Sequence, residues 1–372
     1  MRKDDVRSLI ETHGVAGFTR EYCTLLEEKK INPWTQSIRA LYEGLMGDPS
    51  RSLHDDMTRL EMLDDTRPLR EDVTAGAFSI ITGSLLSSVV IPKFDDVAKK
   101  MDQLFTKFTS TQKTDTIPGF TETDDPVELN EREPYPDAGL AEKYVTMGAQ
   151  KEGRMISLTE EAILHDQTNM LLIRAQDIAE RTAQIREKKL ARIISDSDTK
   201  TWYPANTATA FWASGTGGNC VTNSLTSNAS ITAARTKLLG QTGDRGMRIE
   251  GTIKIIAVPE ALLVTALEIL NSQLIPKSSN NDINVWNASS GAMGAGIQVV
   301  SSQWFDALST TTWFAGDFKR QFYEKVIWPI QVMRAPKNNG EDFSTDVVAR
   351  FKVRRYGAAG ALTNKFVIKN HA

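Results

Sequence analysis

Between Asp166 and Asp196, apolar and small residues recur at three- and four-residue steps: Leu171, Ala175, Ile178, Ala179, Ala183, Ile185, Leu190, Ile193 and Ile194. That is the helical period, not the strand period of two. No Gly or Pro interrupts the run, and Thr168-Asn169 supply capping chemistry ahead of it. The pattern predicts a helix over 168–194, roughly 27 residues and about 40 Å at 1.5 Å per residue. Globular helices average about 11–12 residues, so this one overreaches an ordinary core and other segments must lie along it. No seven-residue repeat persists over the ~3–4 heptads a coiled coil needs. The helix reads as a scaffold spine.

Ahead of it, residues 1–74 pattern as short amphipathic helices, with Val6, Leu9, Ile10, Phe18, Tyr22, Leu25 and Leu26 in one unit. Trp34, Ile38, Leu41, Leu45 and Met46 form a second behind Pro33, which suits a first helical turn. A densely charged stretch runs from Arg51 to Asp72. The following TAGAFSIITGSLLSSVVIPKF is apolar but broken by Ser, Gly and Pro92, so it reads as irregular and too interrupted for a membrane span. A helix over 94–108 is expected next, with Val97, Met101, Leu104, Phe105 and Phe108 on one side and Lys93, Lys99, Lys100 and Lys107 in solvent.

Residues 118–158 pattern differently. Pro118, Pro126, Pro134 and Pro136 exclude a helix and favour extended chain. Between Glu122 and Glu142 lie eight acidic residues (Glu122, Asp124, Asp125, Glu128, Glu131, Glu133, Asp137 and Glu142) and one base, Arg132. Lys143–Met147 and Arg154–Leu158 read as two strands of a hairpin turning at Lys151-Glu152-Gly153. So acidic and Pro-rich a segment has too little apolar surface for a core of its own. Loops longer than about 12–15 residues are usually functional or disordered. An arm reaching onto a neighbouring copy would be held from outside, and its acidity predicts a basic landing site.

After the spine, 199–227 reads as a long loop with exposed Trp202, Tyr203, Phe211 and Trp212. Ser230 caps a helix to Leu239, 252–258 is a buried-type strand, and Pro259 opens a helix to Leu270. The stretch 280–296 is polar and small, a flexible loop, before short strands at 298–300 and 311–314. This block, 225–318, reads as a compact α/β unit. The tail carries long strands. In 346–356 the residues Val348, Arg350, Lys352 and Arg354 alternate with Ala349, Phe351, Val353 and Arg355, a half-solvated antiparallel pattern.

Composition adds exclusions. With 372 residues the chain can bury a substantial core. Lys and Arg number 44 against 47 Asp and Glu, so no overall basic charge marks a nucleic-acid binder. The N-terminal residues lack the apolar core of a secretion signal. Cys23 and Cys220 have no metal-ligand spacing and read as free thiols of a reducing compartment. His165-Asp166 admits an acid–base pair, but a helix cap explains it as well. His54-Asp55-Asp56 has no second cluster to complete a metal site and reads as a solvated run. Gly291, Gly294 and Gly296 precede a strand, whereas a phosphate cradle needs its glycines before a helix. The chain therefore offers no catalytic, cofactor or metal constellation. At the spine's basic end, Arg186, Lys188, Lys189 and Arg192 fit two readings: contact with nucleic acid, or complementing the helix dipole.

The acidic hairpin before the long helix (135–158, then 168–194), the strand–Pro–helix run IIAVPEALLVTALEIL, and the endings TTWFAGDFKR and DVVARFKVRRYGAAGALTNKFVIKN together resemble the major capsid proteins of tailed bacteriophages, with the Hong Kong 97-like fold. The resemblance implies an α+β chain with an N-terminal helical segment (1–74), an N-terminal arm (75–117) and an extended loop (118–158). It implies a peripheral domain (159–224 and 319–357) holding the spine, and an axial domain (225–318 and 358–372). It implies hexamers and pentamers of many copies, closing an icosahedral shell around packaged double-stranded DNA. Portal, scaffold and decoration proteins are the further partners, with no membrane and no cofactor. The virion is the location, with assembly in the host cytoplasm. Inter-subunit contacts fall to Glu128, Glu131, Glu133, Asp137, Glu142, Lys143 and Arg154, and genome-facing positions to Arg186, Lys188, Lys189 and Arg192. Some members join a loop Lys to a late-strand Asn. Asp346 and Val353 stand in the matching places here, which implies no such cross-link. Two other readings stand beside this one: an encapsulin-like compartment around protein cargo, and a hydrolase using His165 or Cys220.

Overall fold

The computed structural model describes residues 3–46, 67–120, 128–129, 142–164, 170–195, 211–215, 218–243, 246–275, 282–287, 293–335 and 347–372. In chain order these form α1 (Lys3–Glu27), α2 (Ile38–Met46), α3 (Arg67–Asp102), β1 (Thr106–Thr109), β2 (Thr114–Phe120), β3 (Glu142–Gly148), β4 (Gln150–Thr159), α4 (Glu160–Leu164) and α5 (Met170–Ser195). There follow β5 (Cys220–Thr222), α6 (Asn228–Leu239), β6 (Ile255–Pro259), α7 (Glu260–Asn271), β7 (Gln298–Ser302), α8 (Gln303–Asp306), β8 (Trp313–Gly316), α9 (Phe318–Gln321), β9 (Phe322–Arg334), β10 (Val347–Ala361) and β11 (Val367–His371). Helix α5 is the expected spine. The chain divides into two compact units, one of residues 1–97, 151–184 and 328–356, the other of 98–150, 185–327 and 357–372.

In the first unit the Ser-rich stretch expected to be irregular is helical, and α3 continues through Pro92 to Asp102. Phe78, Ile81, Leu85 and Val89, with Ala77, Thr82, Leu86 and Val90 beside them, make a buried stripe at the three- and four-residue period. Ser84, Ser87 and Ser88 occupy its flanks. By length and composition α3 could cross a membrane from Ala77 onward, yet more than half of its most apolar window is buried in the protein, as in a core helix. Helix α1, which bends at Gly14 (φ 69°), packs on α2, and both reach α3. The Tyr42 ring meets Phe78 edge-on with centroids 5.2 Å apart, and Ser84 Oγ donates to Cys23 Sγ at 3.3 Å.

Strands β9, β10 and β4 lie side by side in that order. Ala349, Phe351, Val353 and Arg355 of β10 are buried while Lys352 is exposed, as the alternation predicts. The expected turn at Lys151–Gly153 is instead inside β4. A Cβ on Gly153 would lie 2.5 Å from the Val353 carbonyl oxygen, so β4 can follow β10 this closely only because that residue is Gly. The expected hairpin partner is wrong as well. β3 pairs antiparallel with β2, from Thr114↔Gly148 to Phe120↔Glu142, and β4 belongs to a different sheet.

The second unit is built on a five-stranded sheet in the order β5-β11-β8-β6-β7. All five residues of β6 are buried. Its odd residues, Ile255 and Ala257, enter a core with Leu190 and Ile194 of the spine, Phe305, Phe314 and Phe322. Its even residues, Ile256 and Val258, enter another with Ile231 and Ala234 of α6, Ile269 and Leu270 of α7, and Trp286. Strand periodicity divides one segment between two cores. Pro259 offers α7 no side-chain cap, and the Asp306 carboxylate accepts from the Glu260 and Ala261 amides at 3.0 and 3.1 Å instead. The α6 cap position is Ser227, and Ser230 lies in the first turn, donating to the Ser224 carbonyl.

Two loop expectations need correction here. Phe211 is buried in the first of these cores, not exposed, while Trp202 and Tyr203 lie outside the described residues. Within 280–296, Asn284 and Asn287 are buried: Asn284 donates to the Ile269 and Ser272 carbonyls, and Asn287 to those of Asn271 and Ser272. Gly294 packs so tightly under this turn that a Cβ would stand 2.1 Å from the Trp286 oxygen.

Candidate functional site

Strand β9 carries consecutive charged residues, Glu324 and Lys325, both fully buried. Neighbouring strand residues point to opposite faces, so the two serve different elements of the second unit. Glu324 faces α5. Arg186 Nε donates to Glu324 Oε1 at 2.7 Å and Nη2 to Oε2 at 2.5 Å, a bidentate fork, and Nη2 also reaches Asp102 Oδ1. Asp102 is further paired with Lys107 at 2.5 Å. Burial opposes the Arg186 charge, but the two carboxylates outweigh it and hold the guanidinium above its ordinary pKa. For Asp102, burial pushes upward and Arg186 and Lys107 overcome it, leaving the carboxyl below the usual range. Glu187 behaves oppositely: burial raises it despite Arg186 and Lys100 nearby.

Lys325 faces the two-stranded β2–β3 arm, and its ammonium meets Asp115 Oδ2 at 2.8 Å. Lys325 and the Ser110 hydroxyl hold the Asp115 carboxyl below its ordinary pKa. Met147, directly across the ladder from Asp115, is buried against Phe108, Tyr323, Ala358 and Leu362. Tyr323 and Lys325 share one face of β9, as opposite residues of the arm share one face of the ladder.

These contacts revise the genome-facing group. Arg186 is 3% exposed with its guanidinium engaged, so it is withdrawn from that role. Lys188, Lys189 and Arg192 are exposed: Lys188 lies over the Trp304 ring, 5.6 Å from its centroid, and Lys189 donates to Gln150 at 3.4 Å. The carbonyl at the end of the spine, Ser195, accepts from Lys369. Ile185, expected on the buried stripe, is 51% exposed; Arg186 occupies the inward position.

Among the expected inter-subunit residues, Glu128 is exposed, while Glu131, Glu133 and Asp137 lie outside the described residues. Glu142 and Lys143 are on β3, opposite Phe120 and Gly119. Arg154 is exposed on β4, in the first unit. There the outer sheet face is cationic and aromatic. Lys151 and Arg354 lie over the Trp328 ring, 5.0 and 4.1 Å from its centroid, and Lys151 also reaches Tyr356.

Sequence reasoning missed a second surface, on the second unit. Val264 and Leu267 of α7 are exposed, as are Leu274, Ile283, Val285 and Met293 beyond its C-terminus. Leu274 and Ile283 are bridge partners, and Ile283 is 77% exposed. The signal was available: α7 has more apolar positions than one buried face can use.

Cys220 is approached by a residue the sequence gave no reason to pair with it. His371 Nδ1 lies 3.4 Å from the thiol, and Thr222 Oγ1 is 3.1 Å from Nε2. Burial raises the Cys220 pKa, against the pull of Lys369 and Lys237, which disfavours the nucleophilic thiolate. His165 lies outside the described residues. No cluster of three His, Cys, Asp or Glu side chains able to hold a metal occurs among the described residues.

A family model described as "Phage capsid protein" matches residues 144–370. The comparison with curated proteins found no match. Among solved structures, the chain is similar to one of Mycobacterium phage Cain (TM-score 0.44, 15% identity, 72% of this chain and 88% of that one). It is similar to the capsid of a native GTA particle (0.48, 12%, 74% and 90%). It is also similar to a virus-like particle from Pyrococcus furiosus (0.44, 7%, 76% and 98%).

Proposed function

Since this chain belongs to the phage capsid protein family, matched over 144–370, and is a shell protein of the virion, we propose that it is the major capsid protein of a Hong Kong 97-like head. On this reading it assembles in the host cytoplasm as hexamers and pentamers that close an icosahedral shell around double-stranded DNA. Portal, scaffold and decoration proteins are its further partners. Residues 1–74 are a helical segment, 75–117 the N-terminal arm and 118–158 the extended loop. Residues 159–224 with 319–357 are the peripheral domain, and 225–318 with 358–372 the axial domain. The observation that carries the reading is the acidic, Pro-rich segment strung between β2 and β3, which has too few apolar residues to form a core alone.

Its proposed landing site is the cationic surface of β4 and β10 on a second copy, where Lys151, Arg154 and Lys352 are exposed. The apolar residues Val264, Leu267, Ile283 and Val285 supply a second contact between copies. Many such modest contacts act together in a closed array, through effective concentration. Lys188, Lys189 and Arg192 remain the proposed genome-facing cations, binding phosphate without regard to sequence.

Charge reversal tests the arm. Glu128→Lys with Glu131→Lys and Glu133→Lys should reduce particle yield at least tenfold while the circular dichroism of the soluble chain is unchanged. Added reversal of Lys151 and Arg154 to Glu should recover part of it. Unchanged yield in the triple variant contradicts the docking. Particles that hold protein cargo and no nucleic acid would favour the encapsulin-like compartment over a genome shell.

A further inference from the structure

We infer that the Lys325–Asp115 pair, with Met147 beside it, is the anchor that fixes the direction in which the β2–β3 arm leaves the body, making Lys325 a positioning residue for assembly. The inference rests on the arm's proposed role but concerns a place that role does not specify.

Lys325 is fully buried, and among the described residues its ammonium has no hydrogen bond beyond the Asp115 ion pair. An ammonium in that setting is tolerable only with its counter-charge held in place. Asp115 is the second residue of β2, and the Ser110 hydroxyl also holds its carboxylate. The Ser110 amide in turn donates to the Val326 carbonyl, closing the end of the β1–β9 parallel ladder. The carboxylate therefore ties β2 to both strands of that ladder. Across the arm, Met147 fills an apolar socket under Gly360, where a Cβ would stand 3.0 Å from the Met147 methyl. One ladder position of the arm thus carries an ionic and an apolar attachment side by side. Toward Phe120 and Glu142 the arm continues for five more register pairs. A two-stranded ribbon of this kind is marginal in water unless something holds its base, and a small rotation at the base is magnified at the tip.

The test uses the full chain in three forms: Asp115→Asn, Lys325→Met, and the exchange Asp115→Lys with Lys325→Asp. Hydrogen exchange is followed at the amides of β2 and β3, with those of β6 as internal reference, and particle yield is scored alongside. The expected result is at least tenfold faster exchange in β2–β3 for each single variant, β6 unchanged, a particle yield at least tenfold lower, and recovery of both in the exchange variant. Arm exchange as slow as in the parent would overturn the inference. So would loss of protection in β6 as well, since the pair would then hold the whole unit, and so would no recovery on exchanging the charges. If the parent chain itself forms no particles, the shell reading fails, and the exchange rates still decide the anchor.

Discussion

Arg186 occupies a place on α5 where the helical period calls for an apolar residue: Ala179, Ala183, Leu190 and Ile194, at the same spacing, are buried. A charged residue on such a stripe is a legible signal that a buried counter-charge waits opposite. Reading the cations by proximity in sequence grouped Arg186 with Lys188 and Lys189 instead. Only the fold supplies the identity of the partner, Glu324, 138 residues away. Removing one member of a buried pair leaves an uncompensated charge. Arg186→Met should therefore lower the unfolding free energy by about 3–5 kcal/mol in urea titration, whereas Arg186→Met with Glu324→Leu should cost far less. An equal loss in both would show that packing, not charge, dominates the position.

The carboxyls around Arg186 give opposite pH signatures. The lowered pKa of Asp102 contributes stability that is present above about pH 4, its unfolded value, and is lost as pH falls through the folded value. Glu187, raised by burial, binds its proton more tightly folded than unfolded, so its contribution declines as pH rises from about 4.3 toward the folded value. Glu187→Gln should stabilise the protein at pH 7 and have little effect at pH 3, and Asp102→Asn should do the reverse at pH 7. Thermal melts across that range check both, and melts that shift in parallel at all pH values would refute the assignment.

At the scale of elements, local period was legible and partnership was not. The spine's span, the buried strand β6 and the alternation along β10 follow from spacing alone. The serines of α3 disguised a stripe that its apolar residues nonetheless carry at Phe78, Ile81, Leu85 and Val89. Pro92, directly after the apolar window that ends at Ile91, suggested a stop that the helix does not make. The pairing of β3 with β2 across more than twenty intervening residues, in place of adjacent β4, is non-local and leaves no mark on either strand's own pattern. If α3 is a core helix, Leu85→Ala should cost about 2–5 kcal/mol. Ile80→Ala, on its exposed side, should stay within about 0.5 kcal/mol. Equal effects in denaturant titration would mean that the stripe does not pack as described.

For the molecule as a whole, the absence of a chemical constellation in the sequence pointed to contact as the function, and the resemblance to capsid proteins agrees with the family match over 144–370. The acidic segment reads as an arm because its composition cannot support a core. The apolar surface around α7 was legible only as an excess of apolar positions, because an exposed Leu or Val reads locally like a buried one. Electron microscopy of the purified full-length chain decides whether these surfaces meet as proposed: closed shells of uniform diameter are expected, with density from the β2–β3 arm of one copy crossing the β4–β10 face of the next. A homogeneous single-chain species that keeps its fold at high concentration and never closes into shells would contradict it.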